Sequence, residues 1–487
     1  MNPIVIFSII AIYFAVLMVI SYLTSKDTSD NTFYTGDRKS PWPLVAYGMV
    51  GAALSGVTFV SIPGMVSNNF FYYFQFVIGN VLGYIFIVLV LIPIYYKLKL
   101  VSIYTYLSSR FGNYSYKTGS LFFLISQSFG AALRLLLAAK ILQYALFDSY
   151  NIPFPVTVMI IIFLVWIYTN KSGIKTIVWT DTLQTTFLIF AAIVAIVIVK
   201  NSLGLSFSET ITSIKDHQYF KLFNWDFNSK NNFFKQIISG MLIAIAMMGL
   251  DQNIMQKTLT CKNKRDAQKN ALVFSLILAI TQFLFLGLGV VLYIYAEKNG
   301  ITLEKVNGEF VNTDTLFPIL SLNHFGLFAS ITFILGITAA AFSSIDSALT
   351  ALTTSFTHDF LDIEDKSGSQ KTNIKNRVLF GFSVIVFIII MLFSNSKGDV
   401  ISTIFKVAGY TYGPLLGLYL LGIFTKIKIH DKSVPILCIT APIATYYLND
   451  YLIVNFNFDL GFMNIFVNAL LTILSLIITQ KLIIDGK

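Results

Sequence analysis

The chain has 487 residues and a formal net charge of +10; 56% of it is hydrophobic and only 12% is charged. A water-soluble domain carries about 25% charged residues, so this composition excludes an ordinary soluble fold. The two cysteines, Cys261 and Cys438, are too few for a disulfide framework, and the four histidines fall in loops or at span ends, which leaves no histidine site within the membrane.

Apolar runs recur along the whole length, each long enough to cross a hydrocarbon core of about 30 Å as a helix. Lipid imposes that helix, because backbone groups there must be bonded within the segment. The pattern predicts thirteen spans, at 3–23, 43–66, 70–96, 118–147, 153–170, 175–200, 233–256, 270–296, 324–357, 377–394, 399–424, 433–449 and 460–480. The first has no basic flank and no small-x-small cleavage site before Lys26, so it reads as a retained span rather than a signal peptide. Lysine and arginine concentrate on the loops of one side. The other side carries them mainly on two long loops, 200–235 and 297–323, and its short loops hold only Lys397. The asymmetry predicts an outside N-terminus and an inside C-terminus. It also accounts for the positive charge without a nucleic-acid partner. The inner stretch 358–376 is polar and is expected to be a mobile loop.

In chain order, oxygen-bearing and broken segments stand out. The second span reads GAALSGVTFVSIPG over 51–64, with Gly51, Ser55, Gly56 and Thr58 near its middle and Pro63-Gly64 at its outer end. Unwinding is easy here, since glycine lowers helix stability by about 1 kcal/mol relative to alanine. The freed carbonyls are good ligands for a hard cation, while the same small residues also serve close helix packing. Arg134 lies mid-span in GAALRLLLAAK on one face with Gln127 and Gly130. It is placed either to bind an anionic substrate group or to pair with Asp181 or Asp346. Asp181, in VWTDTLQTT, sits about 9 Å in from the inner end. It reads as a cation partner or as a charge on a helix N-terminus.

The span at 233–256 ends in GLDQNIMQK, and that at 399–424 holds Gly409, Gly413, Pro414 and Gly417. Glycine-bearing interruptions at 43–66 and 233–256 lie five spans apart, the expected mark of an inverted repeat. In TAAAFSSIDSALTALTTSFTHD (338–359), Ala340, Ser343, Ser344 and Ser347 share a helix face beside Asp346. An ionised carboxylate at mid-membrane costs roughly 2.5–3.5 kcal/mol, which a cation on this face would offset.

FYTGDRKSPW, LSGVTFVSIPG, SIYTYLSSRFG, VWTDTLQ, GLDQNIMQKTL, AAAFSSIDSAL and YGPLLGLYLLGIF occur in an order and spacing that resemble the sodium:solute symporter family. The resemblance implies an all-α polytopic fold with the leucine-transporter five-helix inverted repeat. One transport domain over 1–487 would then comprise an extra N-terminal helix and loop (1–42), a ten-helix core (43–425) and two C-terminal helices (426–487). It implies sodium as the coupling ion, with a main site made of the carbonyls of Gly51, Leu54 and Ala340 and the hydroxyls of Ser343 and Ser344. In relatives with two sodium ions a second site would be built from Asp181, Ser343, Ser347 and Asp346. The substrate residues implied are Ser55, Thr58, Gln75 and Arg134, with Met247 where sugar carriers have an aromatic gate.

The expected function is sodium-coupled import of a small organic solute by alternating access. An organic anion such as sialic acid or another carboxylate is favoured; a sugar or other neutral solute, with Arg134 structural, is the alternative. The partners expected are sodium, the solute and the bilayer of the cell membrane (the inner membrane in a bacterium), with the monomer as the working unit. An enzyme would show a histidine–carboxylate or DxD pattern, and neither occurs.

Overall fold

The computed structural model describes residues 3–24, 38–169, 174–301, 312–363, 368–395 and 400–485, with Lys366 and short stretches between 305 and 310. The helices are α1 Pro3–Thr24, α2 Trp42–Ala53, α3 Gly56–Asn69, α4 Tyr73–Phe86, α5 Ile92–Lys97, α6 Thr105–Arg110, α7 Asn113–Ala145, α8 Phe154–Thr169, α9 Ile174–Ser202 and α10 Phe207–Asp216. They continue with α11 Phe233–Ala244, α12 Gln252–Thr258, α13 Lys264–Lys298, α14 Leu316–Asn323, α15 Gly326–Leu361, α16 Gly368–Phe393, α17 Val400–Phe424, α18 Val434–Phe456 and α19 Asn464–Asp485. The strands among the described residues are the two of one small hairpin, β1 Lys305–Val306 with β2 Glu309–Phe310. By length and composition, ten helices among the described residues suffice to cross a membrane, or eleven if the bent pair Phe233–Gly249 and Gln252–Thr258 is one span. Large apolar side chains on the outside, such as Leu392 and Val454, are each 74% exposed, as expected of a surface that faces lipid.

Both predicted interruptions are present. The first span breaks between α2 and α3, where Leu54 leaves the helical region (φ −82°, ψ 84°) and Ser55 is extended (ψ 171°). The second bends by 69° between a π-turn at Ile245–Gly249 and α12. Asp251 caps α12 there, accepting from the Asn253 amide.

Elsewhere tertiary contacts move the boundaries. Pro63-Gly64 does not end its helix: α3 runs on to Asn69, and the Tyr293 hydroxyl takes the Gly64 carbonyl at 2.7 Å. Chain reversal comes at Phe70, with φ 52°. The Gly/Pro segment of α17 is likewise continuous. Pro414 lacks the N–H that would bond the Tyr410 carbonyl, and Asn468 of α19 replaces it, donating at 2.8 Å. The predicted loop at 358–376 is mostly helix, since α15 reaches Leu361 and α16 starts at Gly368.

Two glycines set the closest crossing. A Cβ at Gly79 would lie 2.2 Å from the Ile237 carbonyl oxygen, and one at Gly240 would lie 2.2 Å from that of Phe76. Thus α4 and α11 meet backbone to backbone, as small residues permit in a membrane bundle. Gly79→Ala is expected to destabilise by about 1–3 kcal/mol, the usual range for overpacking. A thermal unfolding curve in detergent checks this, and a wild-type midpoint would refute the close crossing.

Candidate functional site

Around the first break, α2 and α3 pack against α9 and α15. A Cβ on Gly48 would fall 3.3 Å from that of Asp181, and one on Gly51 would fall 2.3 Å from the Thr185 hydroxyl. Gly51 is therefore glycine because Thr185 occupies the side-chain space, and its amide donates to that hydroxyl at 2.8 Å. On the other side, a Cβ at Gly56 would meet Ile337 of α15 at 2.9 Å, one turn from Ala340.

The break takes from the Gly51 carbonyl the amide that would bond it in a continuous helix. In an unbroken helix the Ser55 amide would bond the Gly51 carbonyl, but here it donates to Ala53 at 3.1 Å. Helical bonding resumes with the Phe59 amide on the Ser55 carbonyl at 3.0 Å. On α15 the Ser344 hydroxyl is buried and has no hydrogen-bond partner among the described residues. An orphaned buried hydroxyl costs about 1–3 kcal/mol, a cost that a ligand at this position would offset. The Ser343 hydroxyl donates to Asp181 Oδ1 at 2.6 Å, which leaves its lone pairs for a cation. No three His, Cys, Asp or Glu side chains gather as a metal site among the described residues. A hard monovalent cation fits these hydroxyls and carbonyls better than a transition metal does.

Asp181, Ser347 and Asp346 do come together, but the positive charge among them is one the sequence reading placed elsewhere. Lys257, one residue beyond the predicted span 233–256, is the last-turn lysine of α12 and is 1% exposed. Its ammonium donates to Asp181 Oδ2 at 2.6 Å and to Ser347 Oγ at 2.8 Å, while Ser347 donates to Asp346 at 3.1 Å. The bend at Leu250–Asp251 swings α12 inward, so a span drawn straight to residue 256 misses this contact.

Beside the break lies a small cavity of about 60 Å³ whose lining includes Ser55, Thr58, Arg134 and Met247. Gln75 is not among its residues. It is fully buried and committed to the loop beyond α10, donating to the carbonyls of Tyr72 (3.0 Å) and Asn231 (3.1 Å) and accepting from the Asn224 amide (3.0 Å). These bonds engage both its amide nitrogen and its oxygen in this structure. Three residues the sequence reading passed over, Asn80, Tyr84 and Gln282, line the cavity, and each has a buried polar atom with no hydrogen-bond partner among the described residues. The available signal was an amide side chain in each of two otherwise apolar runs.

Arg134 pairs with neither Asp181 nor Asp346. Its guanidinium makes no hydrogen bond or ion pair among the described residues, and the acid whose field reaches it is Asp251, which is bonded to Tyr412.

Residues 33–429 match the sodium:solute symporter family. The chain is 26% identical over 454 residues to the sodium/sialic acid symporter SiaT of Proteus mirabilis (strain HI4320), covering 90% of this chain and 88% of that one. It is 25% identical over 440 residues to the sodium/sialic acid symporter NanT of Aliivibrio fischeri (strain ATCC 700601 / ES114), covering 88% and 84%. Its fold matches the substrate-bound outward-open state of a Na+-coupled sialic acid symporter with a TM-score of 0.81 at 23% identity, over 98% of both chains. With a match across most of its length, the chain belongs to the sodium:solute symporter family and is a sodium-coupled symporter.

Proposed function

We propose that this protein imports a small organic anion, a sugar acid such as sialic acid or another carboxylate, by sodium-driven alternating access. The observation that carries the reading is Arg134, an unpaired guanidinium at mid-membrane on the wall of a cavity beside the helix break. A charge there is expensive to hold without a purpose, and its planar fork suits a carboxylate. Ser55, Thr58, Asn80, Tyr84 and Gln282 supply donors and acceptors for hydroxyl or amide groups, and Met247 gives an apolar wall. In this reading the coupling sodium sits between the carbonyls of Gly51, Leu54 and Ala340 and the hydroxyls of Ser343 and Ser344. It ties α2 and α3 to α15 and braces the segment that carries Ser55 and Thr58. The topology that goes with it has thirteen spans with the N-terminus outside, an inverted-repeat core at 43–425, and the monomer as the working unit.

Sodium, and not potassium, is expected to raise the melting temperature of the purified protein, since a ligand that binds only the folded state stabilises it. Ser343→Ala with Ser344→Ala should abolish that rise and sodium-dependent uptake into proteoliposomes. A full sodium response in the double variant would move the ion to other residues.

A further inference from the structure

We propose that the Lys257 ammonium is the resident cation of the Asp181–Ser343–Ser347 site, so that this symporter couples a single sodium ion to each solute. The inference rests on the sodium-coupled reading and adds the number of ions to it.

The side chain is among the largest fully buried ones in the molecule, and its whole helix, Gln252–Thr258, is buried. Lysine is almost never fully buried unless paired, and here the pairing is close. One ammonium proton goes to Asp181 Oδ2 and another to Ser347 Oγ, while Asp181 Oδ1 takes the Ser343 hydroxyl. A buried ion pair is a weak source of stability, because apolar residues of similar volume often do as well. Its presence between α9, α12 and α15 therefore asks for a functional reason.

The chemistry of the surroundings supplies one. A carboxylate and two serine hydroxyls form the kind of oxygen set that would bind a small hard cation, and the ammonium stands at hydrogen-bonding distance from it. A free sodium ion cannot enter the same set while that charge is in place, since two cations sharing one carboxylate repel strongly in a low-dielectric interior. Ser343 also connects the two places. It donates its proton to Asp181, and it adjoins in sequence Ser344, whose buried hydroxyl has no partner among the described residues. The lysine thus holds Asp181 ionised and Ser343 oriented, and the one mobile ion binds at the helix break.

The test compares the wild type with Lys257→Ala and with Lys257→Ala combined with Asp181→Asn. Purified proteins are scanned for sodium-dependent melting shifts. In proteoliposomes, the sodium dependence of solute uptake gives a Hill coefficient, and the reversal potential gives the ion-to-solute ratio, with sialic acid as the probe solute. The wild type should show a Hill coefficient and a ratio near one. Lys257→Ala should move the Hill coefficient towards two and enlarge the sodium-dependent melting shift, because a second ion now fills the vacated place. The double variant should return to one, as neither the lysine charge nor the carboxylate remains.

A wild-type ratio of two overturns the proposal by itself, even if Lys257→Ala does not fold. So does a folded Lys257→Ala protein whose Hill coefficient stays at one. Where sialic acid is not carried, the melting shifts and their sodium dependence decide in the same way. Absence of any sodium response in the wild type would instead remove the coupled reading and this inference with it.

Discussion

Asp181→Asn is expected to destabilise the protein by about 3–5 kcal/mol, because it strands the Lys257 ammonium in a buried position. The magnitude follows from the geometry: both side chains are 1% exposed, and they meet at 2.6 Å. Ser347 remains as a partner at 2.8 Å, but a neutral hydroxyl does not balance a charge. Adding Lys257→Met in the same background should recover most of the loss, since a flexible apolar side chain of similar length fills the space. Thermal or denaturant unfolding in detergent measures both. An Asp181→Asn protein as stable as the wild type would show that the pair is not formed in the resting protein. Were no lysine paired with Asp181, the same substitution would be expected to spare the fold and lower sodium affinity alone.

The second large effect concerns Arg134. Arg134→Met should raise the KM for an anionic solute by about 30-fold or more, the equivalent of the 2 kcal/mol or greater loss seen when one partner of a buried charge pair is removed. Arg134→Lys should fall between, because it keeps the charge and loses the bidentate fork. Sodium-induced stabilisation should persist in both, since Ser343 and Ser344 stand on a different helix. If Arg134 served only to balance Asp251, both variants would lose stability and the KM would hold. Uptake kinetics and melting curves on the same two proteins decide between these results.

Much of the architecture is legible in the sequence because lipid removes alternatives: an apolar run of sufficient length has to be a helix. The two interruptions are legible for a related reason. Gly51, Ser55 and Gly56 weaken one helix, and Gly249 with Asp251 weakens another, and such residues are rare where leucine is the easier choice. Ser343, Ser344 and Ser347 are placed on one face by helical period alone. Type and position do not show which hydrogen bonds a side chain makes, and only the fold joins Gln75 to Tyr72, Asn224 and Asn231.

By itself the sequence determined the class of the molecule, its helical spans, the sites of the two breaks and the serine face, since these depend on local composition and period. Tertiary structure decided which charges meet. A 69° bend carries Lys257 into the bundle beside Asp181, sets Asp251 rather than Asp181 in the field of Arg134, and lets Asn468 repair the helix that Pro414 would have broken. Each of these contacts joins residues far apart in the chain, and long-range pairing depends on how whole helices pack rather than on any local pattern.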